Sequence, residues 1–244
     1  MIRIREASIA FAPGSPVLSA IDLTIEPGQF VAVVGPSGCG KSTLLRLIAG
    51  LVAPTGGAIE TSGDGAKRVG FVFQDATLLP WRTVTENVRL PLELSGAQGG
   101  KDWGDRIAEQ LDLTGLGPEH RRKRPRELSG GMRMRVSLAR ALVADPSILL
   151  FDEPFGALDD LIRKQLNRDL IRIWTKRRWT GVFVTHHVEE AVFLSQRVLV
   201  MSANPGRIAG DITIDLEYPR RVDDPRFIEL RRRVDVLLRG GEDS

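Results

Sequence analysis

Cys39 is the one cysteine of the sequence, so no internal disulfide can form, which agrees with a reducing compartment. No stretch approaches the ~20 uninterrupted apolar residues that span a bilayer. The opening Met1-Ile-Arg-Ile-Arg-Glu6 lacks the apolar centre of a signal peptide, and a chain that folds in the cytosol is expected. A surplus of one charge is missing too. Lys and Arg number 34 against 31 Asp and Glu, and a formal net charge of +3 is too small to argue for nucleic acid. The densest basic run, His120 to Arg126 (HRRKRPR), has acidic residues interspersed nearby and no aromatic stacking platform, which fits a solvated surface. Internal repeats and low-complexity tracts are absent. What is left is an ordinary globular composition, 244 residues with 42% hydrophobic and 27% charged, enough to bury one large core.

Within that ordinary composition, Gly35-Pro-Ser-Gly-Cys-Gly-Lys-Ser-Thr43 satisfies the phosphate-loop pattern G-x-x-x-x-G-K-S. Gln29 to Val34 reads as a buried strand before it, and Leu44 to Ala49 as a helix after it. Glycines 35, 38 and 40 let the backbone turn tightly and present main-chain N–H groups, and the helix N-terminus adds positive partial charge, so the loop suits a polyphosphate. The candidate nucleotide site is therefore the whole loop: Gly35, Pro36, Ser37, Gly38, Cys39, Gly40, Lys41, Ser42 and Thr43. Lys41 is expected to reach the outer phosphates and Ser42 to ligate Mg²⁺. Cys39 occupies a free position of the loop and reads as a small, tolerated residue.

Short apolar runs recur at Phe30 to Val34, Val69 to Phe73, Ile148 to Phe151, Val182 to Thr185 and Val198 to Met201, separated by helical patterns or loops. Near-continuous hydrophobicity predicts strands buried on both faces, and hence an α/β fold with a mostly parallel sheet flanked by helices. Ile2 to Ala10, Leu18 to Ile25 and Ala58 to Thr61 alternate more loosely, which predicts a small antiparallel layer. Between Pro80 and Arg126 helical stretches are broken by glycine-rich loops at 95–100 and 114–118. The division expected is an α/β core over 1–79 and 137–244 with a helical insertion over 80–136. Phe227, Leu230, Val234 and Leu237 or Leu238 fall at helical spacing between Asp224 and Arg239, a face predicted to dock on the core.

Ile148-Leu-Leu-Phe-Asp-Glu153 is an apolar strand ending in two carboxylates, where ligands of open α/β sheets bind. Asp152 is placed to hold Mg²⁺ opposite Ser42, and Glu153 to polarise an attacking water. Leu128-Ser-Gly-Gly-Met132 precedes a helix-forming segment. Ser129 is a natural N-cap, and Gly130 and Gly131 permit close backbone approach, which suits a second anion site.

With these sites in this order the chain resembles, over nearly its whole length, the ATP-binding subunits of ABC transporters, whose signature sequence is the segment at Ser129. The resemblance implies further roles. Gln74 matches the glutamine loop that contacts Mg²⁺ and water, Asp159 in Ala157-Leu-Asp159 the aspartate loop, and His186 the switch histidine beside the γ-phosphate; Phe11 lies where an aromatic stacks on adenine. His187 stands where relatives more often carry aspartate, and Met134 where glutamine is common. The resemblance also implies an ATP-sandwiched homodimer in which Ser129 and Gly131 complete the partner's site. It further implies integral membrane permease subunits, an extracytoplasmic solute-binding protein, and a place on the cytoplasmic face of the membrane. Gln74-Asp-Ala-Thr-Leu-Leu-Pro-Trp-Arg82 and Ser202-Ala-Asn-Pro-Gly-Arg207 are similar to importers of nitrate, sulfonate and taurine. Two alternatives stand beside this: a soluble ABC-type ATPase acting on nucleic acid or ribosomes, and a small-molecule kinase. Tandem cassettes, coiled-coil insertions and basic tails, which would favour the first, are not visible, and a kinase leaves the signature and His186 unexplained.

Overall fold

Burial on both faces, demanded by the apolar runs, shapes the central strands. The computed structural model describes residues 1–12, 14–61, 69–95 and 102–240, so most of the 95–100 loop read from the sequence lies outside the described residues. In chain order the elements are β1 (Ile2–Ala12), β2 (Ser15–Ile25), β3 (Phe30–Val34), α1 (Lys41–Ile48), β4 (Gly56–Thr61), β5 (Val69–Val72), α2 (Val84–Leu94) and α3 (Trp103–Leu113). They continue with α4 (Gly130–Leu142), β6 (Ile148–Asp152), α5 (Asp160–Arg177), β7 (Thr180–Val184), α6 (Val188–Leu194), β8 (Arg197–Ser202), β9 (Arg207–Thr213) and α7 (Pro225–Gly240).

Two compact units divide the chain: Met1–Lys67 with Leu150–Glu153 and Arg178–Ser244, and Arg68–Leu149 with Pro154–Arg177. The second is larger than the 80–136 insertion expected, because α4 runs unbroken through Leu142 and packs on β5 and α5.

In the first unit β1 pairs antiparallel with β2 and with β4, which gives the small layer the order β2-β1-β4. Beside it β6, β7, β3, β8 and β9 lie next to one another in that order. All residues of β3 and β7 are buried, and β3 runs parallel to both β7 and β8. Phe30, Phe151, Phe183 and Trp179 cluster with ring centroids 5.5 to 6.2 Å apart. Their crowding explains Gly181, where a Cβ would come within 2.5 Å of the Phe30 ring. β9 was not foreseen: it pairs antiparallel with β8 at the sheet edge, and its mostly exposed residues produce no apolar run.

The C-terminal face docks as expected. Phe227 and Val234 of α7 are fully buried among Ala32, Ala191, Val198, Val200 and Ile212, with Leu230 and Leu238 packed alongside. The second unit has its own core, in which Val84, Val88 and Leu92 of α2 meet Ile107 and Leu111 of α3 and Val136, Ala139 and Val143 at and after α4. α2 starts with a capping box between Thr83 and Glu86, and hydrogen bonds donated by the Thr83 N–H and Oγ1 hold the Glu86 carboxyl below its usual range.

Truncating Phe227 to Ala should remove α7's main anchor and destabilise the protein by about 3–5 kcal/mol, measured by equilibrium urea unfolding. A loss below about 1 kcal/mol would mean that α7 contributes little to the fold.

Candidate functional site

The first unit carries the phosphate loop and both strand-end carboxylates. α1 begins at Lys41 behind Gly40, which adopts a left-handed φ of 97° and supplies no side-chain cap, and no acidic residue stands in the first turn. No acidic residue of α1 itself therefore competes for the N–H groups that open the helix, a condition that favours anion binding. Gly40 is required twice over, by its φ and because a Cβ would meet Leu18 Cδ2 at 2.6 Å. The Lys41 ammonium is buried and donates to the carbonyl oxygens of Gly35 at 2.8 Å and Pro36 at 2.9 Å, arching the side chain back over the loop. Cys39 is not a bystander in this geometry. Only 1% exposed, it turns inward beneath Gly35, with Sγ 3.9 Å from Lys41 Nζ, and burial pushes its thiol pKa up.

Ser42 Oγ donates to Asp152 Oδ1 at 2.8 Å, joining the first turn of α1 to the end of β6. One residue on, Glu153 takes a φ of 48°, a left-handed conformation costing roughly 1–2 kcal/mol for a non-glycine residue. Its backbone N–H donates to Val184 O at 3.1 Å, which locks that geometry to β7. The result aims the carboxylate at His186, whose Nε2 lies 2.6 Å from Glu153 Oε1. His186 in turn follows β7, anchored by the Thr185 N–H on Val33 O at 3.2 Å. Lys41, Ser42, Asp152, Glu153 and His186 therefore form one group at the ends of β3, β6 and β7. Phe11, near the end of β1, is 66% exposed, so it is not a core residue and its ring is open to a ligand.

The second unit holds the remaining candidates. Ser129 caps α4, its Oγ accepting from Met132 N–H at 3.3 Å. A Cβ on Gly131 would meet Ile162 Cγ2 at 2.7 Å, and one on Gly130 would meet Leu158 Cδ2 at 3.1 Å, so both glycines answer to tight packing at the helix start. Asp159 Oδ1 accepts from Ile162 N–H at 3.0 Å and caps the start of α5. Gln74 is exposed just beyond β5. Met134, where glutamine was noted as common, is buried within α4's packed face.

Two residues that sequence reasoning passed over shape the segment after Gln74. Arg140 of α4 donates to Ala76 O at 2.8 Å and to Thr77 O at 2.9 Å, and Thr77 has a φ of 45°. Asn87 of α2, fully buried, accepts from Leu79 N–H at 2.8 Å and donates to Leu79 O, Arg82 O and Thr83 O. A buried amide inside an apolar helix face was the available signal for Asn87; Arg140 offered none, since its acceptors, the Ala76 and Thr77 carbonyls and Thr77 Oγ1, are remote in sequence.

A glycine-rich loop opening a helix, with a hydroxyl on a strand-end carboxylate and a second carboxylate beside it, defines a P-loop nucleoside triphosphatase. The family model described as ABC transporter matches residues 18–156. The chain is 44% identical over 230 residues, 92% of its length and 90% of the relative's, to an aliphatic sulfonates import ATP-binding protein SsuB of Bacillus cereus. It is 45% identical, over 92% of its length and 89% of the relative's, to the nitrate import ATP-binding protein NrtD of Synechocystis. Among solved structures, the dimeric structure of MJ0796, a bacterial ABC transporter cassette, superposes with a TM-score of 0.77 at 31% identity, covering 89% of this chain and 100% of that one. The chain belongs to the ABC transporter family, as an ATP-hydrolysing, energy-coupling subunit.

Cys39 is expected to react with an aromatic disulfide at pH 8 at least about tenfold more slowly in the native protein than in the unfolded chain. Equal rates would show that the loop opens freely. Because burial raises the thiol pKa above its ordinary 9.0, the linked stability is complete below pH 9 and declines as the pH climbs through the folded value.

Proposed function

We propose that the chain binds MgATP on its phosphate loop, hydrolyses it by general-base attack of water, and couples that cycle to import of a small anionic solute through a membrane permease. The observation that carries the chemistry is the contiguous row Lys41, Ser42, Asp152, Glu153, His186. Main-chain amides of residues 35–43 hold the phosphates, and Lys41 neutralises their charge. Phe11 stacks on the base.

Ser42 Oγ and Asp152 Oδ1 stand 2.8 Å apart, the separation of neighbouring oxygens around a small hard cation, so this pair would hold Mg²⁺. Once bound, the ion supplies charge neutralisation on the β- and γ-phosphate oxygens. Glu153 accepts the proton of the attacking water, its position set by the left-handed backbone and by His186, and His186 donates to the γ-phosphate. Positioning supplies most of the rate, since phosphoryl transfer asks for little covalent work from the protein.

Ser129, Gly130 and Gly131 open a helix, and with Asp159 they act on nucleotide bound by a second copy, giving a homodimer with two ATP molecules at its interface. The dimeric state of the MJ0796 cassette supports this. The names of the sulfonate and nitrate relatives support import of an oxyanion-bearing solute. In this reading an extracytoplasmic binding protein delivers the solute to integral permease subunits. The cassette then works on the cytoplasmic face of the membrane. No helix of the described residues is long and apolar enough to cross it.

Glu153→Gln should keep ATP affinity within about threefold while lowering steady-state phosphate release by about 10²–10³-fold, read by equilibrium binding and a phosphate assay. Near-normal release by that variant would remove Glu153 from the role of base. Ser129→Arg should abolish ATP-dependent dimerisation seen by light scattering in the Glu153→Gln background, and dimers of undiminished stability would refute completion of the site in trans.

A further inference from the structure

We infer that Tyr218 and Arg220 form a clasp on the C-terminal end of α6 that sets the position of His186 against Glu153. This makes Arg220 a positioning residue for hydrolysis, and the inference rests on the role given to His186 above.

α6 has seven residues, too few to be stable by itself, and the carbonyl groups of its last turn have no partners within the helix. The segment after β9 supplies them. Tyr218 Oη donates to Leu194 O at 2.7 Å, and Arg220 Nη1 donates to Ser195 O at 2.6 Å, to Val192 O and, at a longer 3.4 Å, to Phe193 O. Four successive carbonyls, 192 to 195, are thereby engaged by two side chains. Arg220 Nε also reaches Leu216 O at 3.0 Å, and its guanidinium carbon sits 4.2 Å over the Tyr218 ring.

This is an unusual use of a buried charge. Arg220 is 7% exposed, and among the described residues no carboxylate pairs with it; its acceptors are neutral carbonyls and a π face. A buried cation without a counter-ion is expensive unless a specific field compensates it. Here the negative end of α6 does so, a cation at a helix C-terminus being the favourable arrangement. Burial also pushes the Tyr218 phenol up to about 12, so it remains a donor throughout the physiological range.

The other end of α6 abuts the catalytic group. Thr185 Oγ1 donates to the Glu190 carboxylate and accepts from His187 N–H at 3.0 Å, so the start of α6 is stapled to the end of β7 at His186. Pinned at both ends, α6 fixes the direction in which the chain leaves His186. Loosening the distal pin lets the helix fray and tilt, and the 2.6 Å contact from His186 Nε2 to Glu153 is the element that suffers.

The test compares Arg220→Gln, Arg220→Lys and Tyr218→Phe, each alone and with His186→Ala, in the full-length protein. Arg220→Gln should lower kcat about tenfold or more with ATP affinity within about twofold, Lys should restore part of the loss, and Tyr218→Phe should give a smaller loss in the same direction. Amide exchange over 188–195 should quicken, and Arg220→Gln should cost nothing further once His186 is Ala, the non-additivity expected of residues acting as one unit. Wild-type kcat for Arg220→Gln, unchanged exchange in α6, or a full additional loss in the His186→Ala background would each overturn the clasp. If Arg220→Gln does not fold, Tyr218→Phe decides by the same readouts. His186→Ala turning over normally would instead overturn the role of His186, and α6 exchange together with the His186 imidazole titration would then decide whether the clasp positions it.

Discussion

The hydrogen bond from Ser42 Oγ to Asp152 Oδ1 is the point on which the geometry around the phosphate loop turns. Ser42 belongs to the first turn of a helix whose start is dictated by Gly40, and Asp152 to the last residue of a strand that is otherwise buried. Joining them places the phosphate loop and the carboxylate pair at one end of the same sheet. A charged strand end is tolerable there because the sheet stops and polar partners begin. From this junction the rest follows by short covalent steps: Lys41 precedes Ser42, and Glu153 follows Asp152.

Glu153 shows how strain and rigidity are balanced. Its left-handed backbone persists because Val184 O accepts its N–H and β7 is wholly buried, so the residue has no cheaper conformation that keeps this bond. The same economy appears in the second unit at Thr77, whose positive φ is held by the Arg140 guanidinium on two successive carbonyls. In both places a loop segment takes its shape from a remote side chain or strand. Local propensity does not explain it.

Much of this was legible beforehand. The parallel strands announced themselves because burial on both faces demands unbroken apolar runs, and the phosphate loop because glycine, lysine and serine at that spacing have few other uses. The Ser129 cap and the docking face of α7 were read correctly for the same reason, a local pattern with a local physical cause. β9 was missed because an exposed edge strand carries no such pattern. Cys39 was read as a small, tolerated residue of the loop, and its side chain fills the space under Gly35, which the sequence did not show. Arg140 and Arg220 were passed over because they are held mostly by backbone oxygens, which leave no trace in side-chain identity, whereas Asn87 left one signal, a buried amide on an apolar helix face.

The sequence by itself determined the class of fold, the position of the phosphate loop and the residues able to do chemistry, since each depends on side chains within a few positions of one another. Tertiary structure alone decided that Ser42, expected opposite Asp152, bonds it directly across 110 positions and that Glu153 faces His186. It also decided that a buried guanidinium held by main-chain carbonyls closes the end of α6. Those contacts arise where strands remote in sequence come side by side, and their geometry is set by sheet register and helix packing, which no single segment encodes.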